Sequence, residues 1–163
     1  MELHLPMISR YWSAIRGRAT IVREVAGNGD GLLFGQGFCF ALMVPLLLRL
    51  PLPRLQALLE PASARAPTGT AERDRIVATL QAVLAAGRPL IGRGCLVRGL
   101  TFYYFLRRAG VDVALSFGMG HSAKMADGFD GHCWLVLDGE PYLESRDPRA
   151  LYAQTYAFRG STR

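Results

Sequence analysis

An α+β domain with an apolar helical N-terminal region is the fold class this sequence predicts, and three observations predict it. The chain opens with a long stretch that is rich in apolar residues and carries helix punctuation. A second helix-like run starts at Cys95 and stops at Gly110. After that the pattern changes to alternation, in Val111–Phe117 and in His132–Leu137, with Asp138-Gly139 as a hairpin signal.

With 163 residues the chain sits within the usual size of one domain. Half of its residues are hydrophobic and a fifth are charged, a composition that excludes general disorder. The net charge of +6 comes almost wholly from arginine, since Lys124 is the only lysine. These charges are scattered and accompany no nucleic-acid motif, so no nucleic-acid partner is expected. Three cysteines, Cys39, Cys95 and Cys133, form no C-x-x-C pair and suggest neither a disulfide framework nor a four-cysteine zinc site. With no signal-peptide pattern at residues 1–18, a reducing, cytoplasmic setting is expected.

Residues 7–25 read as an irregular amphipathic helix that the glycine cluster Gly27-Asn28-Gly29-Asp30-Gly31 breaks. From Leu32 to Leu48 there is no charge, but the run is short for a bilayer and contains Gly35, Gln36, Gly37 and Pro45. A buried core helix is the expectation, with contact to a membrane or partner surface as the alternative. Cys39, inside this run, is expected to be an inert core thiol. Pro51 and Pro53 end the run, residues 55–60 form a short turn, and residues 61–69 read as an exposed linker within the same compact unit. Residues 1–69 are thus the N-terminal helical region. The core is expected over 70–163, opening with a helix that Thr70 caps and that turns Ile76, Val77, Leu80, Val83 and Leu84 to one side.

Gly92-Arg93-Gly94 precedes Cys95, which falls in the first turn of the next helix. Free N–H groups and the positive end of the helix dipole favour a thiolate there and can bind an oxyanion. In most proteins a cysteine at such a place is only a small core side chain, so Cys95 needs a base. His132 begins the later strand and supplies a candidate. Period-two geometry puts His132, Trp134 and Val136 on one face and Cys133, Leu135 and Leu137 on the other, so His132 and Cys133 are not expected to share a site. The Asp138-Gly139 turn returns the chain so that Glu144 faces His132 and can orient its ring.

Residues 118–131 read as a loop. His121 is a second imidazole in it, and with Asp127, Asp130 and His132 it could be imagined as a metal site, but no fixed ligand motif supports one. No cofactor is expected.

The segments Cys95–Leu100, Arg107–Gly110 and Gly131–Gly139 together resemble the transglutaminase-like proteins of lasso-peptide biosynthesis, the B2 leader peptidases. The resemblance spans roughly residues 70–145. It implies a papain/transglutaminase-like cysteine hydrolase core, with Cys95 as nucleophile, His132 as base, and an acidic residue twelve positions past the histidine, here Glu144 in place of the usual aspartate. Asp138 is the alternative carboxylate, though a turn explains it better. The implied reaction is removal of a leader from a ribosomally made precursor peptide, with a separate leader-recognition protein and a macrocyclase as partners. Acyl transfer to an amine and a non-catalytic peptide-binding scaffold are the competing functions.

Overall fold

The computed structural model describes residues 30–61, 66–88, 90–91, 94–121 and 129–158. The expected helix at 7–25 lies outside them. Among the described residues, four helices and a four-stranded antiparallel sheet make an α+β fold.

Helix α1 (Gly31–Leu47) is apolar on every side, so the packing and not the pattern decides what it buries. Gly37, Phe40, Ala41 and Val44, spaced i, i+3, i+4 and i+7, turn inward. Gly37 permits the close approach: a Cβ there would lie 2.9 Å from Leu80 Cδ2. The rest of the helix is less buried than expected. Leu32, Leu42, Met43 and Leu46 are exposed, and so is Cys39, which is therefore not a core thiol. Among the described residues no helix is long and apolar enough to cross a membrane.

The expected turn at 55–60 is a full helix, α2 (Leu52–Leu59), because Pro53 sits in its first turn, where no backbone donor is lost. Helix α3 (Thr70–Ala86) buries Ile76, Val77, Leu80 and Val83 as its spacing requires. Thr70 is its first helical residue and Gly69 the cap, so the capping role expected of Thr70 is not realised.

Helix α4 (Cys95–Arg108) lies at the centre, against α1 and α3 on one side and the sheet on the other. Leu100, Phe102, Tyr103 and Leu106 are fully buried. It ends in a Schellman motif: Gly110 N–H donates to the Arg107 carbonyl and Val111 N–H to that of Leu106, both at 3.0 Å, with Gly110 at φ +82°.

The sheet has the order β3-β2-β1-β4. Strand β1 (Val113–His121) and β2 (Phe129–Leu137) run well into the expected loop, pairing Gly118 with His132 and His121 with Phe129. Asp138 (φ +52°) and Gly139 (φ +84°) make a type I′ turn into β3 (Glu140–Tyr142). Strand β4 (Ala153–Phe158) pairs with the other edge of β1.

Candidate active site

Strand β3 pairs with β2 only over Leu135–Leu137, so the β2 edge at residues 131–133 has no strand beside it. The first turn of α4 meets that edge. The Cys95 thiol points at the Gly131 carbonyl, 4.0 Å away, and the backbone N–H of Cys133, on the same edge, donates to the Cys95 sulfur. The side chains of His132 and Cys133 both hydrogen-bond to that sulfur.

This corrects the expectation that His132 and Cys133 lie apart. Alternation does place them on opposite faces: His132 stacks near Trp134 and Tyr152, with ring centroids at 6.1 and 5.0 Å, while Cys133 packs against α4 over Gly99. A sulfur facing the edge of a strand is within reach of both faces. Gly99 makes room for this, since a Cβ on it would come within 2.9 Å of both Cys133 Sγ and Leu115 Cδ1.

The Cys95 thiol is held down to about 5. The largest cause is the hydrogen bond from the Cys133 thiol. Burial opposes it, and the Cys133 N–H and the His132 ring add to the lowering. Cys133 itself, buried and donating to Cys95, is pushed far up and stays a thiol. Cys95 is half-buried, so it is reachable as well as activated.

Glu144 is brought to His132 by a break in the strand pattern. Leu143 adopts φ +62°, a conformation unusual for a leucine, and this re-aims the chain just after β3. Glu144 Oε2 then lies 3.6 Å from His132 Nε2. Its other oxygen is 2.6 Å from Arg98 Nη1, and Arg98 Nη2 donates to the Leu143 carbonyl. Arg98 lies within the Cys95–Leu100 segment that carries the family resemblance, but the sequence assigns it no role. Asp138 sits in the turn and has the positive φ that its turn role requires.

Tyr152, just before β4, is a further residue of the site that carries no sequence signal. Its hydroxyl donates to Asp130 at 3.2 Å and its ring flanks His132. Burial and Asp130 raise its ionisation above the ordinary tyrosine value, so it stands as a neutral wall of the site. His121 closes β1, and its side chain lies outside the described residues, as do Lys124 and Asp127. Among the described residues no three of His, Cys, Asp and Glu converge as metal ligands do. A cleft of about 480 Å³ opens at the start of α4, lined by Leu84, Arg88, Ile91, Gly94, Arg98 and Phe102.

A thiol at a helix start, held as thiolate beside an imidazole that touches a carboxylate, is the equipment of nucleophilic acyl chemistry. No curated protein and no solved structure gives a match to the chain. Residues 40–157 match the transglutaminase-like superfamily, Transglut_core3, and cover the central helix, the sheet and every group just described. The chain belongs to that superfamily, whose domains are often cysteine hydrolases or transferases.

Proposed function

We propose that the protein is a cysteine peptidase of the lasso-peptide B2 type, which removes the leader from a ribosomally made precursor. The observation that carries this reading is the Cys95 sulfur at the start of α4 beside the His132 ring, with Glu144 Oε2 3.6 Å from His132 Nε2. The core is read as the papain/transglutaminase-like arrangement, a nucleophile-bearing helix packed on an antiparallel sheet. The chemistry belongs to residues 70–163, since the reacting groups span 95–144, while α1 from the N-terminal region packs on α3 and α4.

In this mechanism the Cys95 thiolate attacks the scissile carbonyl and a C–S bond forms, the developing oxyanion facing the N–H groups of the first turn of α4. The imidazolium of His132 gives its proton to the leaving amine as the C–N bond breaks. Water, deprotonated by His132, then releases the acyl group and restores the thiolate. Glu144 holds the ring in the tautomer and orientation both steps need. The 480 Å³ cleft beside Gly94 receives one side of the peptide. A separate leader-recognition protein and a downstream macrocyclase complete the pathway, and a cytoplasmic setting suits the free thiols of Cys39, Cys95 and Cys133.

The test is cleavage of a lasso-type precursor, followed by mass spectrometry with the recognition protein present and with an added amine acceptor. Expected is a free leader carrying a new carboxylate, lost at least about 10³-fold in Cys95→Ala. An amide to the added amine in place of the acid would assign acyl transfer. Cleavage that survives Cys95→Ala would end the reading.

A further inference from the structure

We propose that Arg98 is a positioning residue of this site, holding Glu144 against His132 from the same helix that carries Cys95. The inference rests on the reading of Cys95 and His132 as the reacting pair.

Three observations converge on it. Arg98 lies one helical turn beyond Cys95, with its guanidinium 5.6 Å over the Phe102 ring, which limits its rotation. Its two terminal nitrogens engage consecutive residues, Nη1 the Glu144 carboxylate at 2.6 Å and Nη2 the Leu143 carbonyl. Glu144 needs such a holder, because β3 ends at Tyr142 and the link between them, Leu143, sits at φ +62°. A backbone in that region persists when its surroundings over-determine it. The planar fork of arginine can satisfy a carboxylate and a carbonyl together, and an ammonium group cannot do so in one fixed geometry.

The carboxylate is mostly buried, with 13 % of its side chain exposed, and it divides its oxygens between Arg98 and His132. Arg98 therefore fixes the oxygen that faces the ring by fixing the one that does not. Among the described residues, the charged and titratable groups around the Cys95–His132 pair are Arg98 from α4, Cys133 and Asp130 from β2, Glu144 after β3, and Tyr152 before β4.

The experiment is the pH dependence of Cys95 alkylation by iodoacetamide, read by peptide mass spectrometry on the full chain. It compares wild type with Arg98→Met, Arg98→Lys, Glu144→Gln and the double variant Arg98→Met/Glu144→Gln. If Arg98 acts through Glu144, Arg98→Met moves the midpoint up by about 0.5–1 unit, and Arg98→Lys, which keeps the charge but not the fork, by part of that. On the Glu144→Gln background the same change has less than half its effect, because the group it works through is already neutral. A merely structural salt bridge predicts a lower Tm with the wild-type pH profile. A midpoint in folded Arg98→Met within about 0.2 unit of wild type, or an equal shift in both backgrounds, overturns the proposal. Should Arg98→Met fail to fold by circular dichroism, Arg98→Lys takes its place in the cycle under the same criteria. Alkylation needs no peptide, so a precursor left uncleaved by a protein with a normal alkylation profile counts against the peptidase reading alone.

Discussion

Cys95, Cys133 and Cys39 are the same residue in three electrostatic settings. The sulfur of Cys95 receives hydrogen bonds at the open edge of β2, that of Cys133 is closed in beneath it, and Cys39 faces outward from α1. Iodoacetamide should therefore modify Cys95 with a midpoint near pH 5, and Cys133→Ala should raise that midpoint, because the Cys133 thiol is the largest cause of the lowering. Little change on losing Cys133, measured by site-resolved mass spectrometry, would show that His132 and the helix start suffice. The sign for folding follows from the same shift. A thiol whose folded value is depressed below about 8.5 stabilises the fold fully above that unfolded value, and the contribution disappears as pH falls toward 5. Urea titrations of wild type and Cys95→Ala should accordingly converge as pH is lowered through that window. At the third position, Glu144→Gln should slow cleavage by between about 10- and 10⁴-fold, the range open to orienting carboxylates where the thiolate is already formed. Asp138→Asn should stay within about twofold, since asparagine readily takes φ +52°. If Asp138→Asn is the variant that kills activity, the turn residue is the orienting acid. Cys95, His132 and Glu144 were legible as neighbours because each stands at a mark the sequence shows: a helix start, the start of the alternating run within β2, the far side of a turn. Arg98 was not, because it meets Glu144 across 46 residues of sequence and through a left-handed leucine that no local pattern announces.

Helices α3 and α4 and the Asp138-Gly139 hairpin were readable from spacing, caps and turn chemistry, while the sheet was only half readable. Gly118 and Gly120 look like loop residues, yet they lie inside β1. A Cβ at Gly118 would lie 2.9 Å from the Ala153 carbonyl oxygen, and one at Gly120 would lie 2.3 Å from that of Leu151. These glycines mark a close approach of backbones and not a break in the strand. Strand β4 stayed hidden for a related reason: its first residues, Ala153, Gln154 and Thr155, are exposed on an edge and show no apolar alternation. At the contact between α4 and β2, Gly99→Ala gains about 1 kcal/mol of helix propensity. It also forces Cys133 Sγ and Leu115 Cδ1 from 2.9 Å contacts, an overpacking that typically costs about 1–3 kcal/mol. The substitution should thus be neutral to destabilising alone, and better tolerated with Cys133→Ala, which removes one of the two clashes. Chemical denaturation of both proteins checks this, and an equal cost in the two backgrounds would place the strain at Leu115 instead.

Across the whole molecule, α1 is part of the core on one side only. Phe40 stacks on Tyr104 with ring centroids 4.4 Å apart and meets Phe105 edge-on at 5.8 Å, so Phe40→Ala should cost about 3–5 kcal/mol. Leu42→Gln and Leu46→Gln, on the exposed side, should stay within about 0.5 kcal/mol by the same urea titration. A large loss from either would mean that the outer face of α1 is covered in solution. The uncharged, mostly apolar run of α1 made the helix legible and its orientation illegible, since nearly every side of it could have faced inward. The salt bridge from Arg98 has a mechanical consequence. The path from Cys95 to His132, on to Glu144, across to Arg98 and back along one turn of α4 is a closed linkage, with both ends mounted on a single rigid rod. An open chain of three groups can lose its alignment one joint at a time. A closed one has fewer independent motions, so a slip of the helix against the sheet strains the thiol–imidazole joint and the guanidinium–carboxylate joint together, and the assembly behaves as one part that is either seated or unseated.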